Sequence, residues 1–265
     1  MSGPGAEVLE AFGLDPAAHV EPLPGGQGRA WRSGQVVLKP VDDLGEHSWV
    51  CGVFEDWPAG AGVAVPDPVR SDSGRWAFEG WGAHRLVPGE HLRAGDDPAR
   101  FRQAVDGFHD VVATMPRPGL LDERDDPWSH GDRVAWGEAD PTGTGPVRDV
   151  LQEALGACRP VDLPSQVVHG DLTTNVLESP AGAAVIDWPP YFRPRGWALA
   201  VVAVDAVCWQ GTPPSLLDAW SDLERWRDLL LRALAYRLQT RLQHDHAAGD
   251  LPEAAVLDLV LARGD

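Results

Sequence analysis

Two short runs in the second half of the chain carry the side chains best placed to do chemistry. The first, Gln166-Val167-Val168-His169-Gly170-Asp171-Leu172-Thr173-Thr174-Asn175-Val176-Leu177, sets His169 and Asp171 after a β-branched pair and Asn175 in the turn beyond it. The second, Ala184-Val185-Ile186-Asp187-Trp188, follows a hairpin's length later and ends on another carboxylate. A strand ladder holds its ends rigidly, so polar groups at neighbouring strand ends can be aimed at one point. One carboxylate can act as a base. The other, with the amide oxygen, is the hard oxygen set that Mg²⁺ takes. A positioned base beside an oxygen-held cation is what phosphoryl transfer requires.

The elements that would position these groups can be read around them. After a first helix over 6–12, three short strands are expected over 19–23, 29–32 and 35–39. Between the first two lies Pro24-Gly25-Gly26-Gln27-Gly28, where Gly25, Gly26 and Gly28 would let backbone N–H groups approach phosphates. Lys39 ends the third strand, and Pro40 follows it. Apolar residues at Trp49, Val50, Val53, Phe54 and Trp57 predict a helix over 44–57, closed by Pro58. Strands over 75–78 and 81–87 precede the break at Pro88-Gly89. Beyond it the chain reads as helices over 101–115, 132–136, 147–155, 197–209, 216–242 and 253–261. Strands first and helices after predict an α+β chain with two lobes, a β lobe over 1–87 and a helical lobe over 88–265.

Composition narrows the function classes. The 265 residues are 43% hydrophobic and 23% charged, the balance of a globular protein with a sizeable core. A net charge of −18 argues against nucleic acid or an anionic membrane as partner, while an acidic surface would favour a cationic substrate. Cys51, Cys158 and Cys208 are widely spaced and form no C-x-x-C pair, which predicts neither a disulfide framework nor a zinc site. The opening residues lack a basic segment followed by an apolar one, and no run is long enough to span a bilayer, so a cytoplasmic location is expected.

His169-Gly170-Asp171-Leu172 with Asn175, followed by Ile186-Asp187-Trp188, resembles the catalytic core of the aminoglycoside phosphotransferase family. These are small-molecule kinases with a protein-kinase-like fold. The likeness is most specific over 167–188. Three further stretches, 126–128, 134–138 and 190–194, are similar to an uncharacterised actinobacterial branch of that family. The resemblance implies a two-lobed kinase-like fold and transfer of the γ-phosphoryl group of ATP or GTP, with Mg²⁺, to a hydroxyl of an aminoglycoside, amino sugar or similar metabolite. It implies Asp171 as the base and Asn175 and Asp187 as metal ligands. Lys39 would lie on the α- and β-phosphates, paired with Glu46 or with Glu55, and Leu86 and Val87 would form the adenine-binding linker. His169 would brace the loop, and Asp205 would hydrogen-bond to it.

Two departures from the family pattern stand out. Relatives usually place four residues between the base and the asparagine, whereas this chain has only Leu172, Thr173 and Thr174. The glycine turn is not G-x-G-x-x-G either. Both leave open a nucleotide-binding module of the same fold with impaired catalysis. A metal-dependent hydrolase built on His169, Asp171 and Asp187 is a third reading, and it would need a further ligand nearby and has no use for Lys39.

Overall fold

The computed structural model describes residues 3–23, 28–244 and 249–263. In chain order the first elements are α1 (Ala6–Ala11), β1 (Glu21–Pro22), β2 (Trp31–Ser33), β3 (Val36–Pro40) and α2 (Leu44–Glu55). Short strands β4 (Val63–Ala64), β5 (Pro68–Val69), β6 (Ala77–Phe78), β7 (Trp81–Arg85) and β8 (Glu90–His91) follow. Then come α3 (Pro98–Val112), α4 (Leu120–Glu123), α5 (Pro127–Ala135), α6 (Pro146–Ala157), β9 (Ser165–His169), β10 (Val176–Ser179), β11 (Gly182–Val185) and β12 (Pro190–Pro194). The chain closes with α7 (Gly196–Trp209), a 3-10 turn (Pro214–Asp218), α8 (Trp226–Gln243) and α9 (Pro252–Leu261). Among the described residues no helix is long and apolar enough to cross a membrane.

Two compact units emerge, residues 1–91 with 174–188, and residues 92–173 with 189–265. In the first, an antiparallel sheet runs β1-β2-β3-β7-β5, with β6 pairing β7. Alternation along β3 sends Val36 and Leu38 into a core with Val8, Leu9, Phe12 and Ala83, which leaves Val37 and Lys39 on the opposite face. Lys39 lies opposite Gly82 and Val37 opposite His84. The helix α2 starts where the Asp43 carboxylate accepts from the Glu46 N–H at 2.9 Å, a side-chain cap for an otherwise orphaned donor. A second sheet of the same unit, ordered β4-β11-β10-β8, contains the β10–β11 hairpin.

The second unit is mainly helical around a two-stranded ribbon of β9 and β12. In α7 every residue from Trp197 to Ala206 is buried, so this helix is apolar on all sides except for Asp205. Helix α5 begins at a capping box: the Asp126 carboxylate accepts from the Ser129 N–H at 2.8 Å, and the Asp126 N–H donates to Ser129 Oγ at 3.1 Å. The Tyr191 ring of β12 lies against the backbone at Gly170. A Cβ placed there would come within 2.1 Å of the ring, so only glycine fits before Asp171.

Three expectations are corrected. The acids do not sit on neighbouring strands, because β9 pairs with β12 while β11 pairs with β10 and β4. The helix expected over 132–136 starts at Pro127, since Asp126-Pro127 supplies both a cap and a first-turn proline. The single helix expected over 216–242 is two elements, the 3-10 turn at Pro214–Asp218 and α8, separated by Arg225 at φ +59°. The leucine and tryptophan periodicity runs across the break because both pieces turn their apolar side chains inward.

A half-buried histidine, His84, and a fully buried one, His109, make stability depend on pH. Burial, with the nearby charges of His47 and Lys39, pushes His84 down to about 3 from an ordinary 6.5. Burial also holds His109 well below its ordinary value, and its Nε2 accepts from the His169 N–H at 3.2 Å, which requires a neutral ring. The unfolded chain takes up protons on these rings below about pH 6.5 whereas the folded chain does not, so stability falls as pH falls from there towards about 3. Urea melts at about pH 7.5 and about pH 5.5 should show His84→Gln losing about 1 kcal/mol less over that interval than the wild type. Equal losses would remove His84 from the acid sensitivity. Gly170→Ala should cost about 1–3 kcal/mol in the same melts, as an overpacked site does, and a variant as stable as wild type would show that Tyr191 is not seated against that backbone.

Candidate active site

In the first unit, the lysine and one acid picked out by sequence meet. Lys39 Nζ lies 2.9 Å from Asp187 Oδ1, the lysine half-buried and the aspartate exposed. Asp187 follows the β10–β11 hairpin and has φ +52°, a left-handed conformation rare outside glycine. The next side chain secures it: Trp188 is buried, stacked on Phe54 at 5.8 Å between ring centroids and tilted against Trp49 at 5.1 Å. Asn175 is buried at the start of the same hairpin, where its carbonyl accepts from the Ile186 N–H at 2.9 Å. Asn175 and Asp187 therefore flank one hairpin in this unit, Asp187 beside Lys39.

Behind Lys39 the sheet face carries a histidine–cysteine cluster that sequence reading passed over. His84 Nε2 lies 3.7 Å and His47 Nε2 3.5 Å from Cys51 Sγ, and His47 Nε2 is 3.1 Å from the Trp76 carbonyl oxygen. Burial pushes the Cys51 thiol up to about 12, so it is a packed neutral group rather than a nucleophile. The His47 ring closes over Gly82, where a Cβ would approach within 2.3 Å.

The remaining cofactor-binding positions fall in different places. Glu46 is in the first turn of α2. Glu55, its competitor, gives both carboxylate oxygens to Arg70 at 3.1 and 2.8 Å. Gly28 has φ +67°, a region glycine enters without strain; Gly25 and Gly26 lie outside the described residues. Leu86 and Val87 line a recess of about 250 Å³ with Ala64, Val65 and Ala181, and Lys39, Asn175 and Asp187 do not border it. The Leu86 N–H is already committed to the Gln35 carbonyl at 2.9 Å.

In the second unit, Asp171 is set by its own loop and by α8. Its N–H donates to His169 Nδ1 at 3.0 Å, the bracing expected of that histidine. Its exposed carboxylate receives Arg237 Nη2 at 3.2 Å on Oδ1. Arg237 in turn grips Asp205, with Nε 2.7 Å from Oδ1 and Nη2 on Oδ2. Thr173 Oγ1 donates to the same Asp205 Oδ2 at 3.0 Å, so Asp205 does reach the loop that carries Asp171. Burial opposes the charge of Arg237, but Asp205 foremost, with Tyr236 and Asp171, outweighs it and holds the guanidinium protonated well above its usual range. Burial pushes the Asp205 carboxyl up, and Arg237 and the Thr173 hydroxyl pull against that shift.

The three stretches 126–128, 134–138 and 190–194 converge in this unit. Arg124 donates to Asp126 Oδ2 at 3.1 Å and to the Pro190 carbonyl at 2.9 Å, and its guanidinium lies over the Tyr191 ring. Arg193 makes two-point contacts with both Asp132 and Glu138 at 2.6–2.9 Å. Tyr191 meets Tyr236 hydroxyl to hydroxyl at 3.1 Å, and burial pushes the Tyr191 phenol up to about 12. These contacts build the wall against which Gly170 and Asp171 are set. Sequence reading missed Arg237, although half of a signal existed: Asp205 is the lone charge inside the largely buried α7 and calls for a partner, while α8 offers several arginines among which the sequence does not choose.

A carboxylate and an amide on one hairpin are hard oxygen-bearing groups suited to Mg²⁺, which usually keeps waters and substrate phosphates as its other ligands. Among the described residues no group of three or more His, Cys, Asp or Glu side chains could hold a metal ion.

The structure is similar throughout its length to solved small-molecule kinases. A thermostable mutant of aminoglycoside phosphotransferase APH(4)-Ia, in ternary complex with AMP-PNP and hygromycin B, matches with TM-score 0.60 and 16% identity over 96% of both chains. Choline kinase LicA from Streptococcus pneumoniae matches with TM-score 0.55 and 13% identity over 92% of both chains. An ethanolamine kinase from Plasmodium vivax matches with TM-score 0.58 and 11% identity over 97% of this chain and 86% of that one. No curated protein sequence matches the chain. The fold is thus the α+β, protein-kinase-like one expected from the sequence. The model of the phosphotransferase enzyme family matches residues 54–191, just over half the chain, a span holding Asp171, Asn175 and Asp187. This chain belongs to the phosphotransferase enzyme family.

Proposed function

We propose that the chain transfers the γ-phosphoryl group of ATP or GTP to a hydroxyl of a small molecule in the cytoplasm. The observation that carries this reading is the 2.9 Å approach of Lys39 to Asp187. A strand-end lysine and an acid nearly 150 residues further along would meet in this way at a nucleotide phosphate site. The pair is partly solvated and therefore weak, about 0–1 kcal/mol, so entering phosphates can take over the lysine at little cost. Lys39 would then neutralise the α- and β-phosphates. Asn175 and Asp187 would hold Mg²⁺, which supplies charge neutralisation on the phosphate oxygens. Asp171 would orient the acceptor hydroxyl and accept its proton late in a loose transition state.

Solved relatives support the nucleotide and the kind of acceptor: one carries AMP-PNP and hygromycin B, and a second LicA structure carries AMP. With a net charge of −18, this chain would favour an amine-bearing alcohol such as an aminoglycoside or amino sugar. The three-residue spacer does not speak for a dead site. Leu172 is buried and Thr173 is bonded to Asp205, so the shorter loop is a closed, specified structure.

A nucleotide-consumption screen with Mg·ATP and Mg·GTP across aminoglycosides, amino sugars and amino alcohols should identify the acceptor. Asp171→Asn should then lower kcat about 10²–10⁴-fold while leaving nucleotide affinity in place. Activity surviving that change within about threefold would show that Asp171 is not the base. If neither nucleotide shifts the melting temperature and no ADP or GDP forms, the kinase reading is lost altogether.

A further inference from the structure

We propose that Arg237 is the positioning residue of Asp171, a guanidinium delivered from α8 and anchored on Asp205 so that it fixes the plane of the Asp171 carboxylate. The inference rests on the reading of Asp171 as the base. Its geometric basis is a chain of four side chains. Thr173 Oγ1 donates to Asp205 Oδ2 at 3.0 Å, Asp205 takes Arg237 through Nε and Nη2, and Arg237 Nη2 reaches Asp171 Oδ1 at 3.2 Å. Two of these side chains, Thr173 and Asp171, stand on the same short loop, so that loop meets both the anchor Asp205 and the arginine it holds.

Only arginine suits this arrangement. The planar fork offers donors in three in-plane directions, two for Asp205 and one for Asp171, whereas an ammonium is a single point charge on a flexible stem. The guanidinium cannot swing away, because it is nearly buried and its carbon lies 4.8 Å from the centre of the Tyr236 ring. Asp171, by contrast, is 53% exposed, and an exposed carboxylate on a loop would otherwise sample several rotamers. Fixing Oδ1 sets the direction in which Oδ2 presents its lone pairs to an acceptor. The backbone of Asp171 is held separately, by His169 Nδ1 at 3.0 Å, so the arginine's own task is the side-chain torsion.

The test reads ADP formation from Mg·ATP with water as acceptor, in parallel with binding of a fluorescent ATP analogue. Arg237→Ala should lower the rate of ADP formation about 10–100-fold, the scale of loss when a reacting group is misplaced, with analogue affinity unchanged. Guanidinium ion at about 50 mM should restore at least about fivefold of that loss, and Arg237→Lys should fall between wild type and Arg237→Ala. Because Arg237→Ala strands a buried carboxylate, the double variant Asp205→Asn with Arg237→Met removes the guanidinium without that burden and should show the same rate loss in a folded protein. Asp171→Asn separates the two claims. If it hydrolyses ATP at the wild-type rate, the base assignment falls and this inference with it. If Asp171→Asn is impaired while Arg237→Ala and the double variant stay within about threefold of wild type, the base stands and Arg237 is no positioning residue. A rate loss that neither lysine nor guanidinium relieves, accompanied by weaker analogue binding, would make Arg237 a structural ion pair only.

Discussion

A buried guanidinium between two carboxylates is the constraint on which the second unit is built. Moving Arg237 and Asp205 out of water carries a desolvation penalty of several kcal/mol per ion. Their mutual attraction offsets it only where the contact is two-point and the remaining lone pairs are satisfied. Both conditions hold here, since Nε and Nη2 face the two oxygens of Asp205 and the Thr173 hydroxyl completes one of them. Such a pair is weak evidence of stability but a strong specifier of geometry. Removing one partner would leave a buried charge at about 3–5 kcal/mol, so α7, α8 and the loop carrying Asp171 are locked in a single register. Tyr191, wedged against Gly170 and hydroxyl-bonded to Tyr236, fixes the same register from the ribbon side.

In the first unit the corresponding constraint is conformational. Asp187 occupies a left-handed region that costs a non-glycine residue on the order of 1–3 kcal/mol. The neighbouring Trp188 compensates, since two aromatic contacts are worth about 0.5–1.5 kcal/mol each beyond the area they bury. The strain thus sits on the proposed metal ligand and the compensation on the residue beside it. Tryptophan suits this position because its ring has Phe54 and Trp49 of α2 to pack against.

Much of this was legible in sequence because it is local. Lys39, Asp171, Asn175 and Asp187 each stand just after or before a β-branched run, and the structure puts each at the end of a strand or in a turn. What failed is non-local. Periodicity marks the strand over 165–169 but carries no information about its partner, so the expected neighbour was the wrong one. Strands of two residues, such as β4, β5 and β8, have no period to detect. The single helix expected over 216–242 was a false continuity, since the apolar spacing is shared by two elements broken at Arg225. Arg237 escaped because an amphipathic pattern assigns charges to solvent, whereas α8 is packed against α5, α6, α7 and α9 and is buried on most of its surface.

The two acids are held by opposite means, and the difference follows their proposed tasks. Asp171 is tied to an arginine that is 11% exposed and itself clamped from behind, an arrangement with no reason to change during turnover. Asp187 is tied to a lysine that is 31% exposed, in a pair open to water and screened by it. A base must keep one direction through every cycle, because a misaimed lone pair loses the advantage of positioning. A ligand of an exchanging nucleotide–metal complex must instead release its resting partner each time the complex binds. A contact to a buried arginine that is itself bonded several-fold suits the first demand, and a solvated single contact to a lysine the second. Exchanging them would give a base that wanders and a nucleotide site that resists its own substrate.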